Sequence, residues 1–291
     1  MNGFQPRGDG GGELSALDLE EQVLDVFVQA LRIRHGYDFS GYARASLKRR
    51  VRQLASDLEV ARIGDLIPRL LYEPALCDTI IEHLSVPVSD LFRDPWVFAS
   101  LREKVMPVLA SWPRINVWQA GCAYGEEVFS LAIMLFECGL ARRSQIYATD
   151  INDHALEKAA EGIFGVERLA DFESNYRAAG GTAALSDYYH ARYALLRMRR
   201  ELGERVTFAH HNLVTDGVFA EAHMILCRNV LIYFSQPLKD RVVKLFADSL
   251  VHGGFLVLGD KETLQFSRYA DCFSPVDEQA RIYRLRRRAH A

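Results

Sequence analysis

The turn Gly121-Cys-Ala-Tyr-Gly125 lies between an apolar run, Ile115-Asn-Val-Trp118, and two adjacent carboxylates, Glu126 and Glu127. A third acid, Asp150, ends a second apolar run, Gln145-Ile-Tyr-Ala-Thr149. Strand, glycine turn, helix and strand in this order can hold an adenosine-type ligand at the carboxyl ends of parallel strands. Glycine lets the backbone come close to such a ligand, because a Cβ at Gly121 or Gly125 would fill that space. The carboxylate of Asp150 can accept hydrogen bonds from both ribose hydroxyls. A pyrophosphate at the helix start would require free backbone N–H groups and no nearby negative charge. Glu126 and Glu127 stand there instead and suit a ligand with a cationic end, such as the ammonium or sulfonium of S-adenosylmethionine. Acids in a first helical turn also complement the helix dipole without any ligand, and this turn alone does not separate the two readings.

The elements that must position these groups follow from periodicity. Leu19, Val23, Val26, Phe27, Ala30 and Leu31 form an apolar stripe at helical spacing that Gly36 ends. A second helix is predicted over Tyr42–Leu58 with Leu47, Val51, Leu54 and Leu58 inside, shorter ones near 63–72 and 75–84, and another over Pro95–Leu109. After Pro113 the texture changes. Strands are predicted at 115–119, 145–149, 206–210, 223–227 and 254–258, with helices near 126–138, 152–161 and 237–250, an alternation that means a parallel sheet covered on both faces. Residues 162–204 break it and look like an inserted excursion, while 269–276 and 281–285 would add an antiparallel edge. This divides the chain into a disordered leader (1–12), a helical domain (13–94), a linker helix and connection (95–114) and a sheet domain (115–291).

The chain has 291 residues, 49% of them hydrophobic, and a formal net charge of −3, the profile of an ordinary soluble globular protein. Its five cysteines show no metal-ligand or redox spacing, which favours reduced thiols over a disulfide framework. There is no apolar leader, and no uninterrupted apolar stretch approaches the ~18 residues needed to span a bilayer. A cytoplasmic protein is expected, with no metal. His210-His211 at a strand end lack a third clustered ligand. The predicted second helix carries Arg44, Lys48, Arg49, Arg50 and Arg52 and no acid before Asp57. Arg44, Lys48 and Arg52 share one face, which reads as a solvated surface or as a docking ridge for an acidic helix or nucleic acid.

Four segments in order carry a more specific signal: Leu84-Ser-Val-Pro-Val-Ser-Asp-Leu-Phe-Arg-Asp94, Gly121-Cys-Ala-Tyr-Gly-Glu-Glu127, Asn212-Leu213 and Met224-Ile-Leu-Cys-Arg-Asn-Val-Leu-Ile-Tyr-Phe234. Over about residues 20–287 the chain resembles the CheR family, S-adenosylmethionine-dependent methyltransferases of bacterial chemotaxis receptors. The resemblance implies an α/β fold, with a Rossmann-like methyltransferase sheet, an N-terminal all-helical domain and a small β-subdomain inserted at about 162–204. It implies S-adenosylmethionine as cofactor, S-adenosylhomocysteine as product, and glutamyl methyl esters formed on the cytoplasmic helical domain of a chemoreceptor. It implies no nucleic-acid partner and a membrane reached only through the receptor.

Carried over by position, the resemblance implies that Ser89 and Arg93 contact the cofactor, with Gly121 in the turn. Glu126 takes its methionine end and Asp150 its ribose. Asn212 and Leu213 flank the adenine, Arg228 and Asn229 close the site, and Tyr233, with Arg93, faces the transferred methyl group. Arg44, Lys48, Arg49 and Arg52 would dock the receptor. Each has a plainer reading as well: Tyr233 as a core aromatic, Arg93 as a partner of Asp90 or Asp94, Asn212 as a turn residue. Pro87 stands where the family usually has Asn, Ser89 where it has Thr, and Tyr124 where it has Thr or Ser. Gly259-Asp-Lys-Glu262 keeps the Glu but not the His of that motif. Pro87, Tyr124 and the missing His motivate an alternative, a non-catalytic cofactor-binding adaptor in a chemosensory complex. A small-molecule methyltransferase is a third reading.

Overall fold

The structure, a computed structural model, describes residues 16–287. The expected leader over 1–12 and the basic residue Arg288 lie outside the described residues. Helices α1 (Ala16–His35), α2 (Arg44–Asp57), α3 (Leu66–Tyr72) and α4 (Leu76–Ser85) come first. They close on a core that includes Leu24, Phe27, Leu31, Leu47, Val51, Leu54, Leu70 and Ile80. Leu47, Val51 and Leu54 are the stripe read from the sequence, one face of a 3.6-residue period brought against α1 and α4.

Pro95 opens α5 (Pro95–Ser100), which continues through a π turn (Leu101–Val105) into α6 (Met106–Leu109). The single regular helix expected over 95–109 is therefore interrupted. Pro107 has no N–H to donate, and its ring would crowd the carbonyl four residues back. A wider turn just before it relieves that clash.

The sheet domain runs β1 (Ile115–Ala120), α7 (Glu126–Glu137), β2 (Ser144–Asp150), α8 (Asp153–Glu161), β3 (Ile163–Gly165), α9 (Leu169–Ala178), β4 (Tyr189–Arg192), β5 (Leu195–Met198), α10 (Arg200–Gly203) and β6 (Val206–His210). It ends with β7 (Ala222–Cys227), α11 (Gln236–Ser249), β8 (Leu250–Leu258), β9 (Phe273–Asp277) and β10 (Ile282–Leu285). The main sheet has the order β6-β2-β1-β7-β8-β10-β9. The first five strands are parallel, with Val117 of β1 opposite both Ile146 of β2 and Met224 of β7. β10 is antiparallel to β8 and to β9, the edge expected from the tail.

The excursion forms a separate three-stranded antiparallel sheet, β3-β5-β4. It also contains α9, which the sequence reading did not separate from the strands. Arg284 lies in β10, donates from Nε to the Gly253 carbonyl at 3.1 Å and covers the Phe255 ring. Connections leave β1 for β2 on one side, while β7 pairs on the other. That divergence opens a crevice at the carboxyl ends of the strands.

Candidate active site

The crevice has a volume of about 340 Å³ and is walled by the ends of β1, β2, β6 and β7, with the segment between the two domains as its cover. Gly121 adopts φ +76° and Gly125 φ +91°, a region that L side chains rarely occupy. A Cβ at Gly121 would come 2.5 Å from Cγ2 of Val230, and one at Gly125 would come 2.9 Å from Cβ of Ala159. Both glycines are required by the protein's own packing, and Gly121 also lines the cleft. They make room for neighbouring side chains, and the tight turn that results places Ala123 N–H 2.9 Å from Oδ2 of Asp150.

Asp150 sits at the end of β2, lines the cleft and is nine-tenths buried. Its Oδ1 accepts the Asn152 N–H at 3.0 Å. Burial pushes its carboxyl above the usual range, against the pull of the backbone N–H groups of Ala123 and Asn152. Each oxygen has a second lone-pair direction, so the pair can still accept two vicinal hydroxyls. Asn212 is both a turn residue and a cleft residue. Its Oδ1 accepts the Val214 N–H at 2.9 Å and its own N–H goes to Asp216 at 2.8 Å, which turns Leu213 and Val214 toward the cleft wall.

Arg93 lines the cleft and donates to the Val88 carbonyl at 3.3 Å. It pairs with neither Asp90 nor Asp94, because those acids are bound by Arg168 and Arg228. Arg228 also lines the cleft, yet both its terminal nitrogens are engaged. Nη1 bonds Glu127 and the Arg93 carbonyl, and Nη2 bonds Asp94 at 2.6 Å. Through these bonds it ties β7 to α7 and to the interdomain segment. Asn229, at φ +61°, donates its N–H to Glu262 at 3.0 Å. The same carboxylate accepts from Gly259 N at 2.6 Å and Ile232 N at 3.2 Å. The Glu of the 259–262 motif thus braces the Asn229–Ile232 rim.

Ser89 and Glu126 are brought together but stand outside the residues that line the cleft. The Ser89 hydroxyl donates to Oε2 of Glu126, and Arg168 donates to its Oε1 at 3.0 Å. Burial raises the Glu126 carboxyl, opposed by Ser89 and Arg168. Arg168, on the inserted segment, carries no signal in the sequence that would have singled it out.

Tyr233 lines the cleft in a 3-10 turn, Leu231–Tyr233. Its ring lies 4.2 Å beneath the guanidinium of Arg50, and its carbonyl accepts the Ala43 N–H at 2.7 Å. Arg50 is therefore a buried contact between the domains and not part of an outer face. The face itself is not one-signed. Arg44 pairs with Glu21 and Asp25, Lys48 with Glu20 and Glu21, and Arg52 with Glu20, all acids of α1. The hydrogen bond from Arg52 comes first among the causes that push the Glu20 carboxyl down to about 2. Arg49 is exposed and has no ion pair among the described residues. His210 bonds Asp153 and His211 the Gly217 carbonyl. Among the described residues no group of three His, Cys, Asp or Glu is placed to hold a metal ion.

Residues 87–281 match the SAM binding domain of CheR methyltransferases, and residues 22–85 match their all-alpha domain. The chain belongs to the CheR methyltransferase family. It is 45% identical to Cher3 of Pseudomonas putida over 267 residues, covering 92% of this chain and 97% of that one. It is 29% identical to a chemotaxis protein methyltransferase of Listeria innocua, covering 85% of this chain and 92% of the other. A chemotaxis protein methyltransferase of Vibrio parahaemolyticus is 26% identical, with 86% and 92% covered.

S-Adenosylmethionine is the cofactor of this CheR-family chain, and the cleft fits it. Asp150 keeps acceptor capacity for the ribose, and Leu213 and Val214 offer apolar wall for the adenine. Glu126, which the resemblance assigns to the methionine end, is already satisfied by the protein's own Arg168 and Ser89. No helix among the described residues is long and apolar enough to cross a membrane.

Proposed function

We propose that this CheR-family chain methylates glutamate side chains on the cytoplasmic helical domain of a chemoreceptor, giving glutamyl methyl esters and S-adenosylhomocysteine. When bound, S-adenosylmethionine supplies an electrophilic methyl carbon, to which a carboxylate oxygen bonds as the C–S bond breaks and its electron pair stays on sulfur. The acceptor's pKa of about 4.3 leaves it ionised at neutral pH, so no side chain has to remove a proton. The protein's work is alignment. Asp150 would hold the ribose, Arg93 and Tyr233 would stand at the acceptor side, and the interdomain segment with the Asn229–Ile232 rim would keep water out.

The observation that carries the receptor reading is the position of α2. Arg50 rests on Tyr233 at the cleft, and its neighbour Arg49 projects outward without an acid partner among the described residues. An acidic helix docked at Arg49 would bring its glutamates to the cleft mouth. The names of the Listeria and Vibrio relatives support the same reading. The reaction would take place in the cytoplasm, with the membrane reached only through the receptor.

Incubation with methyl-labelled cofactor and receptor-rich membranes should give base-labile label on receptor glutamates. Cofactor binding without any transfer would favour the adaptor. Arg49→Glu should slow receptor methylation by about tenfold, the lower end of electrostatic steering effects, and leave cofactor affinity unchanged. Arg52→Glu should do less to the docking step, because Arg52 is already spent on Glu20. Equal loss of cofactor binding in the Arg49 variant would remove the docking role.

A further inference from the structure

Glu126 is 3% exposed, and both its oxygens are taken by the protein's own donors. Arg168 makes the more consequential of these contacts, because its guanidinium joins three separate parts of the chain. Nη1 bonds Glu126 at the start of α7. Nη2 bonds the Ser89 carbonyl at 2.7 Å and the Asp90 carboxylate, both on the interdomain segment. Arg168 itself belongs to the insertion, immediately before α9, where its guanidinium lies 5.1 Å from the Phe172 ring centroid. A carboxylate buried behind this clasp is not reachable from the cleft, whose wall includes Val88 but neither Ser89 nor Glu126.

We propose that Arg168 is a built-in competitor for the cofactor's ammonium group: it holds Glu126 in the unloaded protein and must yield that carboxylate when cofactor binds. This rests on the assignment of Glu126 to the cofactor's methionine end. The exchange keeps charges matched. Glu126 trades one cation for another, and Arg168, with a side chain 35% exposed, retains Asp90, which is 39% exposed at the rim. Releasing Glu126 also pulls on the bond from Arg168 to the Ser89 carbonyl. Cofactor occupancy is therefore transmitted to the β3-β5-β4 insertion through one side chain. Asp90 is the partner that prevents the displaced guanidinium from returning at full strength.

The test compares S-adenosylhomocysteine with 5′-methylthioadenosine, which keeps the adenosine but lacks the amino-acid end, by titration calorimetry on the full chain. A clasp closed nine times in ten lowers apparent affinity about tenfold. R168Q should therefore bind S-adenosylhomocysteine about tenfold more tightly and methylthioadenosine with unchanged affinity. R168K, which keeps the charge and loses the fork, should fall between; it also serves if R168Q proves unstable on melting. Weaker binding of S-adenosylhomocysteine by both variants would overturn the proposal, since Arg168 would then be a ligand of the cofactor carboxylate. An equal shift for both nucleosides would overturn it too. E126Q separates the underlying assignment. If it leaves S-adenosylhomocysteine affinity unchanged, the role of Glu126 fails and the competition with it. If it weakens binding while R168Q changes nothing, only the competition fails.

Discussion

Arg228→Met should lower folding stability by about 3–5 kcal/mol, the usual penalty for removing one partner of a buried ion pair. The Arg228 side chain is 1% exposed, and it is the cation for two carboxylates, Glu127 at 7% and Asp94 at 23% exposure. Methionine fills most of the volume, so the loss comes from charge left without a partner in a poorly solvated place. Glu127 suffers most, because its one other side-chain donor is Gln119 at 2.8 Å. The double variant Arg228→Met with Glu127→Gln removes the stranded charge and should regain about half of the loss, since contacting residues do not contribute additively. Urea denaturation with an unchanged slope would measure both. A loss below about 1 kcal/mol in the single variant would show that solvent reaches Glu127 and that the buried network is not what ties β7 to α7. The interdomain segment should loosen in the same variant, because Arg228 also holds the Arg93 carbonyl.

Local pattern explains why much of this site can be read from the chain. Asp150 was legible because a strand that ends in an acid needs only its own apolar run and the glycine turn before it. The parallel order of β6-β2-β1-β7-β8 follows from strands alternating with helices, and the helical domain from stripes such as Leu47, Val51 and Leu54. What was not legible depends on distant partners. The basic face of α2 looked one-signed because Glu20, Glu21 and Asp25 lie more than a helix away in sequence and meet it only after α1 and α2 pack. Glu126 and Glu127 looked alike at the helix start. One turns to Arg168 in the insertion and the other to Arg228 on β7, and the spacing of two adjacent residues says nothing about which. Arg50 was counted with its exposed neighbours, although a helix turns it inward against Tyr233 and the Leu84 carbonyl. Gly121 and Gly125 stand out in the sequence, but nothing local shows that the atoms a Cβ would meet belong to Val230 and Ala159.

Asp150→Asn should abolish tight cofactor binding and change how folding stability depends on pH. Two ribose hydroxyls donating to a buried carboxylate form charge-assisted bonds of roughly 1.5–3 kcal/mol each. Asparagine keeps one acceptor oxygen, and its amide nitrogen would face donors, so affinity for S-adenosylhomocysteine should fall by at least about a hundredfold. Asparagine also turns its amide nitrogen against the backbone N–H of Ala123 or Asn152, a cost that is the same at every pH. The pH dependence follows instead from burial, which raises the Asp150 carboxyl above its ordinary 3.8. A raised acid favours the folded state below its unfolded value, and that advantage is lost as pH rises through the folded value. The asparagine variant has no such loss. Its stability relative to the native chain should be greatest at neutral pH and should shrink as pH falls toward the ordinary carboxylate range. Thermal melts across that range, paired with calorimetry at neutral pH, check both halves. Unchanged cofactor affinity would remove Asp150 from the ribose site, and a difference that grew on acidification would mean that the backbone N–H groups of Ala123 and Asn152 outweigh burial in holding the charge.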